Sequence, residues 1–565
     1  MAKKSSTGAL TPDQHAAQDA LYEKMKTQGH EYDYVIIGTG NSALTAGALL
    51  ANAGKKICML EMHDIAGGYA QNFTMGDYTF CAQIHYTWGC GEGGKMHEFV
   101  KKIGLEDEIT WELYDDGYDR MVLPDGKAVF IPYGYGALAE NIDAAYPGQK
   151  EHVLKFGKIL TQIRKEISAY PQKKLTLWDY ATKWPHFLTL LNYQHKTLQD
   201  LFDECNLSQE AQAVLVANAG DMMEPPNEMS IFAYAGLFGG YNTGAYYPTQ
   251  HFKGYVDALT NFITSHEGCH IYYETEVTKA LVENGKITGL ETKDGKVFTG
   301  KDYICNMDPQ LAAEKIIGWN YFPEKYQKKL KYEYSPSGMV IYLGLKDIDL
   351  TECGFGKYNT WHLEQWDMNK MWSDQLKGDF QRPWIFLSTP SLNTDHPGST
   401  PEGGSILEIA TLTNFSSFDE AQKRSYAEYF KMKQALAERI LDWVEEKYIP
   451  NLRKHIAVKV VGTRNTNVDY VNAPEGNAYG SRLIPKYMGA GRLKAWTPFE
   501  NLYWCNASSG YAGIYGTCHT GVQLYMDLTG DYFMNDIKIP TDEEAIARVQ
   551  QRLEKEGRTQ KPVTT

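Results

Sequence analysis

The sequence predicts an α/β fold, and three stretches carry that expectation. Between Tyr32 and Glu61 a strand pattern, a glycine-rich turn, a helix pattern and a second strand pattern follow one another. The segment HIYYETEVTKALVENGKITGLETKDGKVFTGKDYICNMDP then reads as a β-meander with a return strand. Near the C-terminus, residues 501–516 form a short strand running into a second glycine-rich turn, and Thr517 to Leu528 reads as a helix.

The first stretch is the most specific. YDYVIIG alternates and then runs apolar, as a buried strand does, and ends in Gly38-Thr39-Gly40-Asn41-Ser42-Ala43. Leu44, Gly47, Leu49 and Leu50 lie near helical spacing, Gly54 ends the helix, and residues 56–61 read as the next parallel strand. Gly38 permits the tight turn, Gly40 lets a pyrophosphate approach the backbone, and Ala43 stands where a third glycine would allow close helix packing. Free N–H groups at the helix start, around Asn41 and Ser42, meet the phosphates. Glu61, at the end of the second strand, can accept hydrogen bonds from both hydroxyls of an adenosine ribose and would repel a 2'-phosphate. This is a Rossmann-type unit, and it predicts dinucleotide binding.

Composition narrows the remainder. A chain of 565 residues, 43% hydrophobic and 22% charged, is globular and too long for one core. With 56 basic against 70 acidic residues and a net charge of -14, wrapping a nucleic acid backbone is disfavoured. The 9 cysteines are scattered without a C-x-x-C pair, so no metal site and no disulfide framework is expected, and a reducing compartment fits. No run reaches the roughly 18 apolar residues of a spanning helix, so the expectation is a cytoplasmic protein, free or in peripheral contact with a membrane. The 51 glycines and 39 tyrosines are in excess and call for an explanation.

Gly67-Gly68, followed by Tyr69-Ala70-Gln71-Asn72-Phe73, extends the first motif beyond what nicotinamide-only domains carry. With it, VIIGTGNSALTAGALLANAGKKICMLEMHDIAGGYAQNF resembles the N-terminal signature of the flavoprotein superfamily that holds amine oxidases, phytoene desaturases, carotenoid isomerases and retinol saturases. The likeness implies FAD, with Gly67, Gly68, Tyr69 and Ala70 along the diphosphate and Met62 beside Glu61. Phe80 to Tyr86 resembles the "FD-x-G-IHY" segment of retinol saturase-like members, which passes near the isoalloxazine. Here Cys81 and Gln83 replace its Asp and Gly, and Ile84 and His85 keep the motif. Tyr146-Pro147-Gly148 resembles another landmark of the same members. The resemblance further implies an adenine contact at Val277, a terminal strand near Asn306, and a last flavin-binding block at Asn506, Ala507, Gly513, Ile514 and Tyr515. Many relatives have Gly-Asp where this chain has Asn506-Ala507, which puts the ribityl contact in question. NAD(P)H is a conceivable electron donor, not tightly bound.

In that family the FAD-binding domain is discontinuous, which implies residues 30–110, 246–314 and 456–535 for it and an α+β substrate domain from 111–245 and 315–455. Residues 1–12 and 554–565 read as flexible tails. The first inserted block has helical patterns over 149–170, 186–204 and 208–218. The second has strands in SGMVIYLGL, PWIFLSTP and SILEIATL and a helix from about 418 to 447. Phe232, Tyr234, Phe238, Tyr241, Tyr246, Tyr247, Tyr358, Trp361, Trp366, Trp372 and Trp384 are core residues or walls of a pocket for a long apolar substrate. WPHFLTLLNYQ, from Trp184 to Gln194, reads as an ordinary buried helix, with a membrane-docking or entry-guarding segment as the alternative.

No nucleophile constellation stands out. His85 is the histidine best placed for the flavin, ahead of His251 and His519, and Tyr515, Tyr86 and Glu224 follow as proton donors in that order. The expected activity is oxidoreduction or redox-neutral isomerisation at a carbon–carbon double bond of a polyene or similar lipid, with hydride exchanged at flavin N5. Amine oxidation, which requires a flavin-facing lysine and a compact polar cage, is one alternative. A non-catalytic lipid- or nucleotide-binding protein on the same fold is the other.

Overall fold

The computed structural model describes residues 9–27, 29, 31–169, 184–216, 219–394 and 396–558. Two sheets organise the chain. The first has five strands, all parallel, in the order Leu502–Trp504, Gly300–Cys305, Tyr32–Ile37, Ile57–Leu60 and His270–Tyr272. Its members come from three distant stretches, and the strand that carries the glycine-rich turn lies at the centre. A parallel sheet is covered on both faces, and Val35, Ile36, Ile57, Cys58 and Met59 are fully buried. Helix Asn41–Asn52, made of small and aliphatic residues, packs between helices Gly513–Thr529 and His251–Ser265. The meander Val277–Glu283, Lys286–Thr292 and Val297–Phe298 forms a separate antiparallel sheet.

The second sheet has seven strands, ordered Ile456–Gly462, Ser337–Leu345, Ser405–Thr413, Trp384–Ser388, Asn359–Leu363, Asp119–Val122 and Ala128–Ile131. Its strands are antiparallel except where Asn359–Leu363 runs alongside Asp119–Val122. Successive side chains take opposite faces. Met339, Ile341, Leu343, Leu407 and Ile409 pack with Ile440, Leu441 and Val444 of helix Tyr426–Lys447. Val340, Tyr342, Ile406, Phe386 and Ala410 belong to the main core on the other face, and this alternation turns the buried Glu408 the same way.

Several expectations change. Strand Ile456–Gly462 pairs with Ser337–Leu345, so the seven-stranded sheet continues past residue 455. The single helix expected over 418–447 is two, Ser416–Arg424 and Tyr426–Lys447. Extended Ser425 separates them, and its side chain accepts from Glu428 N–H at 3.1 Å as an N-cap. The pattern over 186–204 likewise divides into Leu188–Tyr193 and Leu198–Glu204 at a capping box between Thr197 and Asp200. Helix Leu188–Tyr193 is not buried: Leu188 and Leu191 are 47% and 48% exposed. Of the 208–218 pattern, Gln209–Leu215 is helical, and residues 217 and 218 lie outside the described residues.

The expected N-terminal tail ends where a helix begins, and the expected C-terminal tail is partly structured. Helix Pro12–Thr27 docks through Gln18, which exchanges hydrogen bonds with the Tyr273 backbone at 3.1 and 2.8 Å. Helix Asp542–Lys555 occupies the start of the expected C-terminal tail, and Arg558 pairs with Asp115 at 3.0 Å and Glu112 at 3.2 Å. Residues 1–8 and 559–565 lie outside the described residues.

Candidate functional site

The carboxyl ends of the central parallel strands open into a cavity of about 600 Å³. Ligands of parallel α/β sheets bind at this edge because helix starts collect there. Helix Asn41–Asn52 begins at Gly40 and helix Gly513–Thr529 at Ala512, and neither start carries a side-chain cap. Asn41 joins the two, its Nδ2 donating to Ile514 O and Thr517 Oγ1, both at 2.9 Å. Two uncapped helix starts bordering one space offer backbone N–H groups and the positive end of the helix dipole to an anion such as a diphosphate.

The glycines are required by space. A Cβ on Gly40 would stand 2.4 Å from Asn306 Oδ1, the atom that accepts the Gly40 N–H at 2.9 Å. Gly67 has a φ of 116°, and its turn bridges to Gly40. Asn306 also donates to Ser42 Oγ at 2.9 Å and to Cys505 O, fastening the first turn to the last strand.

Glu61 lies buried at the end of its strand. Its Oε2 accepts from Thr39 N–H at 2.9 Å and Thr39 Oγ1 at 2.5 Å, and Oε1 accepts from His63 N–H at 2.9 Å. Burial raises its pKa, opposed by those donors. A carboxylate has about four acceptor sites, so about one is left for a ribose hydroxyl, not the two expected. Met62, 41% exposed, and Val277 border the same end of the cavity. Lys315 is there too, on the helical turn Ala313–Ile317 that packs against strand Val277–Glu283.

Asn506 takes a different part from the one anticipated. Its Oδ1 accepts from Ser508 and Ser509 N–H at 3.1 and 3.0 Å, and its Nδ2 donates to Met307 O at 3.0 Å. The amide therefore organises its own turn. Arg492 supports that turn from behind, donating to Gly510 O at 2.6 Å and to Ala507 O. Burial lowers the Arg492 pKa to about 10.

The other end of the cavity is aromatic and apolar, bordered by Trp88, Met222, Leu237, Tyr241, Tyr479 and Leu483. His85 faces it, with Nδ1 at 2.9 Å from Glu408 Oε2. Glu408 is fully buried, its Oε1 has no partner, and burial raises its pKa against the pull of His85. Tyr86 stacks on Tyr241 at 3.9 Å and donates to Asp119 at 3.2 Å. Asp221 borders the cavity beside them, accepting from Tyr241 at 3.3 Å and, less closely, from Tyr479 at 3.4 Å.

Most of the anticipated residues border this one cavity: Gly38, Gly40, Asn41, Ser42, Glu61, Met62, Gly67, Gly68, Tyr69, Ala70, Ile84, His85, Tyr86, Val277, Asn306, Asn506, Ala507, Gly513 and Ile514. The exceptions have physical reasons. Ala43 is buried inside its helix. Tyr515 stacks on Trp88 at 4.8 Å and is not among the lining residues. Glu224 is fully buried away from the cavity in an ion pair with Arg482 at 2.6 Å, which removes it as a proton donor. His251 and His519 are enclosed elsewhere, with pKa values lowered by burial, to about 3 for His251. Of the expected aromatic wall, Tyr241 alone borders the cavity; Tyr234, Tyr247, Trp361, Trp372 and Trp384 fill the core. Asp221, Glu408 and Tyr479 were not anticipated: Tyr479 and Glu408 meet partners 258 and 323 residues away, and Tyr241 lies 20 residues from Asp221 on a separate element, so no local spacing joins them.

Comparison with known proteins agrees with this architecture. The model of the NAD(P)-binding Rossmann-like domain matches residues 36–103. A prolycopene isomerase from an Oncidium hybrid cultivar is 26% identical, the match covering 81% of this chain and 77% of the relative. All-trans-retinol 13,14-reductase from Danio rerio is 24% identical over 84% of this chain and 82% of its own. The human reductase is 24% identical over 93% and 92%. Among solved structures, an oxidoreductase from Methanosarcina mazei superposes with a TM-score of 0.59 at 16% identity, covering 88% of this chain and 100% of the other. A putrescine oxidase bound to putrescine also has a TM-score of 0.59, at 12% identity over 88% and 99%. Nothing in these likenesses supports NAD(P)H as a separate electron donor. Along most of its length the chain is similar in sequence to prolycopene isomerase and all-trans-retinol 13,14-reductase, and in fold to the solved oxidoreductase and putrescine oxidase.

Proposed function

We propose that this protein is a FAD-dependent oxidoreductase acting on a carbon–carbon double bond of a long apolar polyene. The observation that carries the reading is the continuity of one cavity, with a glycine-rich nucleotide cradle at one end, an aromatic and apolar wall at the other, and His85 on the latter. FAD fits the donors present. Glu61 and the Val277 backbone would hold the adenosine, and the helix starts at Asn41 and Gly513, with Gly67 and Gly68, would hold the diphosphate. The turn from Asn506 to Ser508, braced by Arg492, would hold the ribityl and flavin portion.

Bound flavin supplies a hydride acceptor or donor at N5. The chain's own tasks are orientation and exclusion of water. Trp88, Met222, Leu237, Tyr241 and Leu483 would position an apolar chain, and the Glu408 carboxylate fixes the His85 ring through Nδ1, leaving Nε2 for the cavity. The names of the relatives span an isomerase and a reductase, and both reactions share hydride transfer between carbon and flavin. Amine oxidation fits less well. Among the described residues Lys315 is the one lysine that lines the cavity, and it stands at the nucleotide end.

The test is direct. Purified protein reconstituted with FAD should acquire the flavin absorption near roughly 450 nm. The reduced protein, mixed anaerobically with all-trans-retinol or prolycopene and resolved by chromatography, should yield a saturated or isomerised product. A protein that takes up no FAD, or that leaves every polyene unchanged, contradicts the reading.

A further inference from the structure

Moving hydride to or from a double bond leaves one proton to be placed on the neighbouring carbon, and a positioned side chain can place it. Four titratable groups face Asp221: His85, Tyr86, Tyr241 and Tyr479. The three tyrosine hydroxyls have pKa values raised well above the ordinary range by burial, so they are poor sources of a proton. Two of them, Tyr241 and Tyr479, aim hydroxyls at the two carboxylate oxygens and hold the group in a set orientation. The Tyr479 hydroxyl also donates to the Asp221 backbone oxygen at 2.5 Å. Glu408 and Asp119, the other buried acids of this end, sit behind His85 and Tyr86, and neither is among the lining residues. Asp221 is thus the carboxyl group that borders the apolar end of the cavity without an ion-pair partner among the described residues.

We propose that Asp221 is the proton donor and acceptor for the substrate carbon, with His85, backed by Glu408, as the group that restores its proton. This rests on the function proposed above. In the saturating direction the π bond breaks as hydride from reduced flavin N5 forms one C–H bond and the Asp221 carboxyl proton forms the other. Reduced flavin, when bound, would supply the two electrons that reduce the double bond, and Asp221 would be left as a carboxylate that takes a proton through His85. In isomerisation the same proton and hydride are returned. Burial raises the Asp221 pKa, against the attraction of His85, which keeps the acid form available nearer neutral pH than for an exposed aspartate.

Two readouts test the assignment on the FAD-loaded protein. The infrared difference spectrum between oxidised and reduced forms should contain a protonated-carboxyl C=O band that Asp221→Asn abolishes and Glu408→Gln retains. A spectrum in which Asp221→Asn removes no band overturns the proposal, and this holds without any substrate. With all-trans-retinol as probe, reduced wild type equilibrated in deuterated water should place two deuteriums on the product, because the flavin N5–H and the carboxyl proton both exchange with solvent. Asp221→Asn, with flavin absorption unchanged, should be slower by about 100-fold or more; a wild-type rate overturns the proposal. If wild type turns over neither all-trans-retinol nor prolycopene, the proposed function fails while the infrared band still decides the state of Asp221. Should Asp221→Asn not fold, Asp221→Glu takes its place. Its band must persist at a shifted position, and an unshifted band assigns the proton to another acid and overturns the proposal.

Discussion

The two ends of the cavity are built on opposite principles. At the nucleotide end the donors are mainly backbone: two uncapped helix starts, glycine turns, and one carboxylate already engaged by Thr39 and His63. At the apolar end the polar groups are side chains on separate elements, met across the fold: His85 with Glu408, Tyr86 with Asp119, Tyr241 and Tyr479 with Asp221. Backbone donors are positioned as soon as the local structure forms. Side-chain pairs drawn from distant elements depend on the whole tertiary structure and leave buried charge behind, as the unpartnered Glu408 Oε1 does. The first end is suited to hold a constant ligand, and the second stores unfavourable electrostatics that a reaction can use.

The largest effect expected from a single change at the nucleotide end is that of Glu61→Ala. On the proposed binding mode it removes a charge-assisted bond to the ribose worth about 1.5–3 kcal/mol, or roughly ten- to hundredfold in FAD affinity. Because Thr39 and His63 lose their acceptor as well, thermal stability of the FAD-free protein should also fall. Retention of flavin through gel filtration and a melting curve measure both. A loss of FAD affinity without loss of apoprotein stability would separate the two jobs of the carboxylate.

Glu408→Gln should do the reverse at the other end. Burial raises the Glu408 pKa above its unfolded value, so folding favours the protonated form. Its contribution to stability is fully present below the unfolded pKa, near about 4.3, and is lost as pH rises through the folded pKa. The glutamine variant, free of that titration, should therefore melt higher than wild type at neutral pH, with the gain disappearing near pH 4, while turnover of a polyene falls because His85 loses its charged partner. Melting temperatures compared across that pH range check the sign, and a gain that grows on acidification would reverse the account. Ser425→Ala, far from both ends, removes only a helix cap and should cost about 1 kcal/mol, with flavin binding unchanged, as read by chemical denaturation and flavin titration.

What could be read in the sequence follows the same division. The strand at Tyr32, the turn at Gly38 and Gly40 and Glu61 are local patterns that lie where their spacing implied, whereas the helix expected from Thr517 begins earlier, at Gly513, inside the glycine-rich stretch. The capping serine at Ser425 was also legible, since a serine followed three residues later by Glu428 marks a helix start, yet the apolar periodicity on either side obscures it. Asp221 and Tyr479 are 258 positions apart and His85 and Glu408 are 323 apart, and no periodicity connects such pairs. Glu408 even stands in a run, SILEIATL, that reads as plain strand. Part of the glycine excess is accounted for by Gly38, Gly40, Gly67, Gly68 and Gly513 around the cavity. Much of the tyrosine excess is core: Tyr114, Tyr118, Tyr133, Tyr234, Tyr247, Tyr255, Tyr272 and Tyr303 are among the largest fully buried side chains, whereas Tyr86, Tyr241 and Tyr479 line the apolar end.

The most direct test of the central claim is a comparison of substrates on one flavin-loaded preparation under anaerobic conditions. Oxidised protein is mixed with putrescine or cyclohexylamine, and reduced protein with all-trans-retinol or prolycopene, while flavin absorbance is followed and products are separated. The account predicts a converted polyene and a flavin that neither amine bleaches. Bleaching by an amine, with both polyenes recovered unchanged, would contradict it.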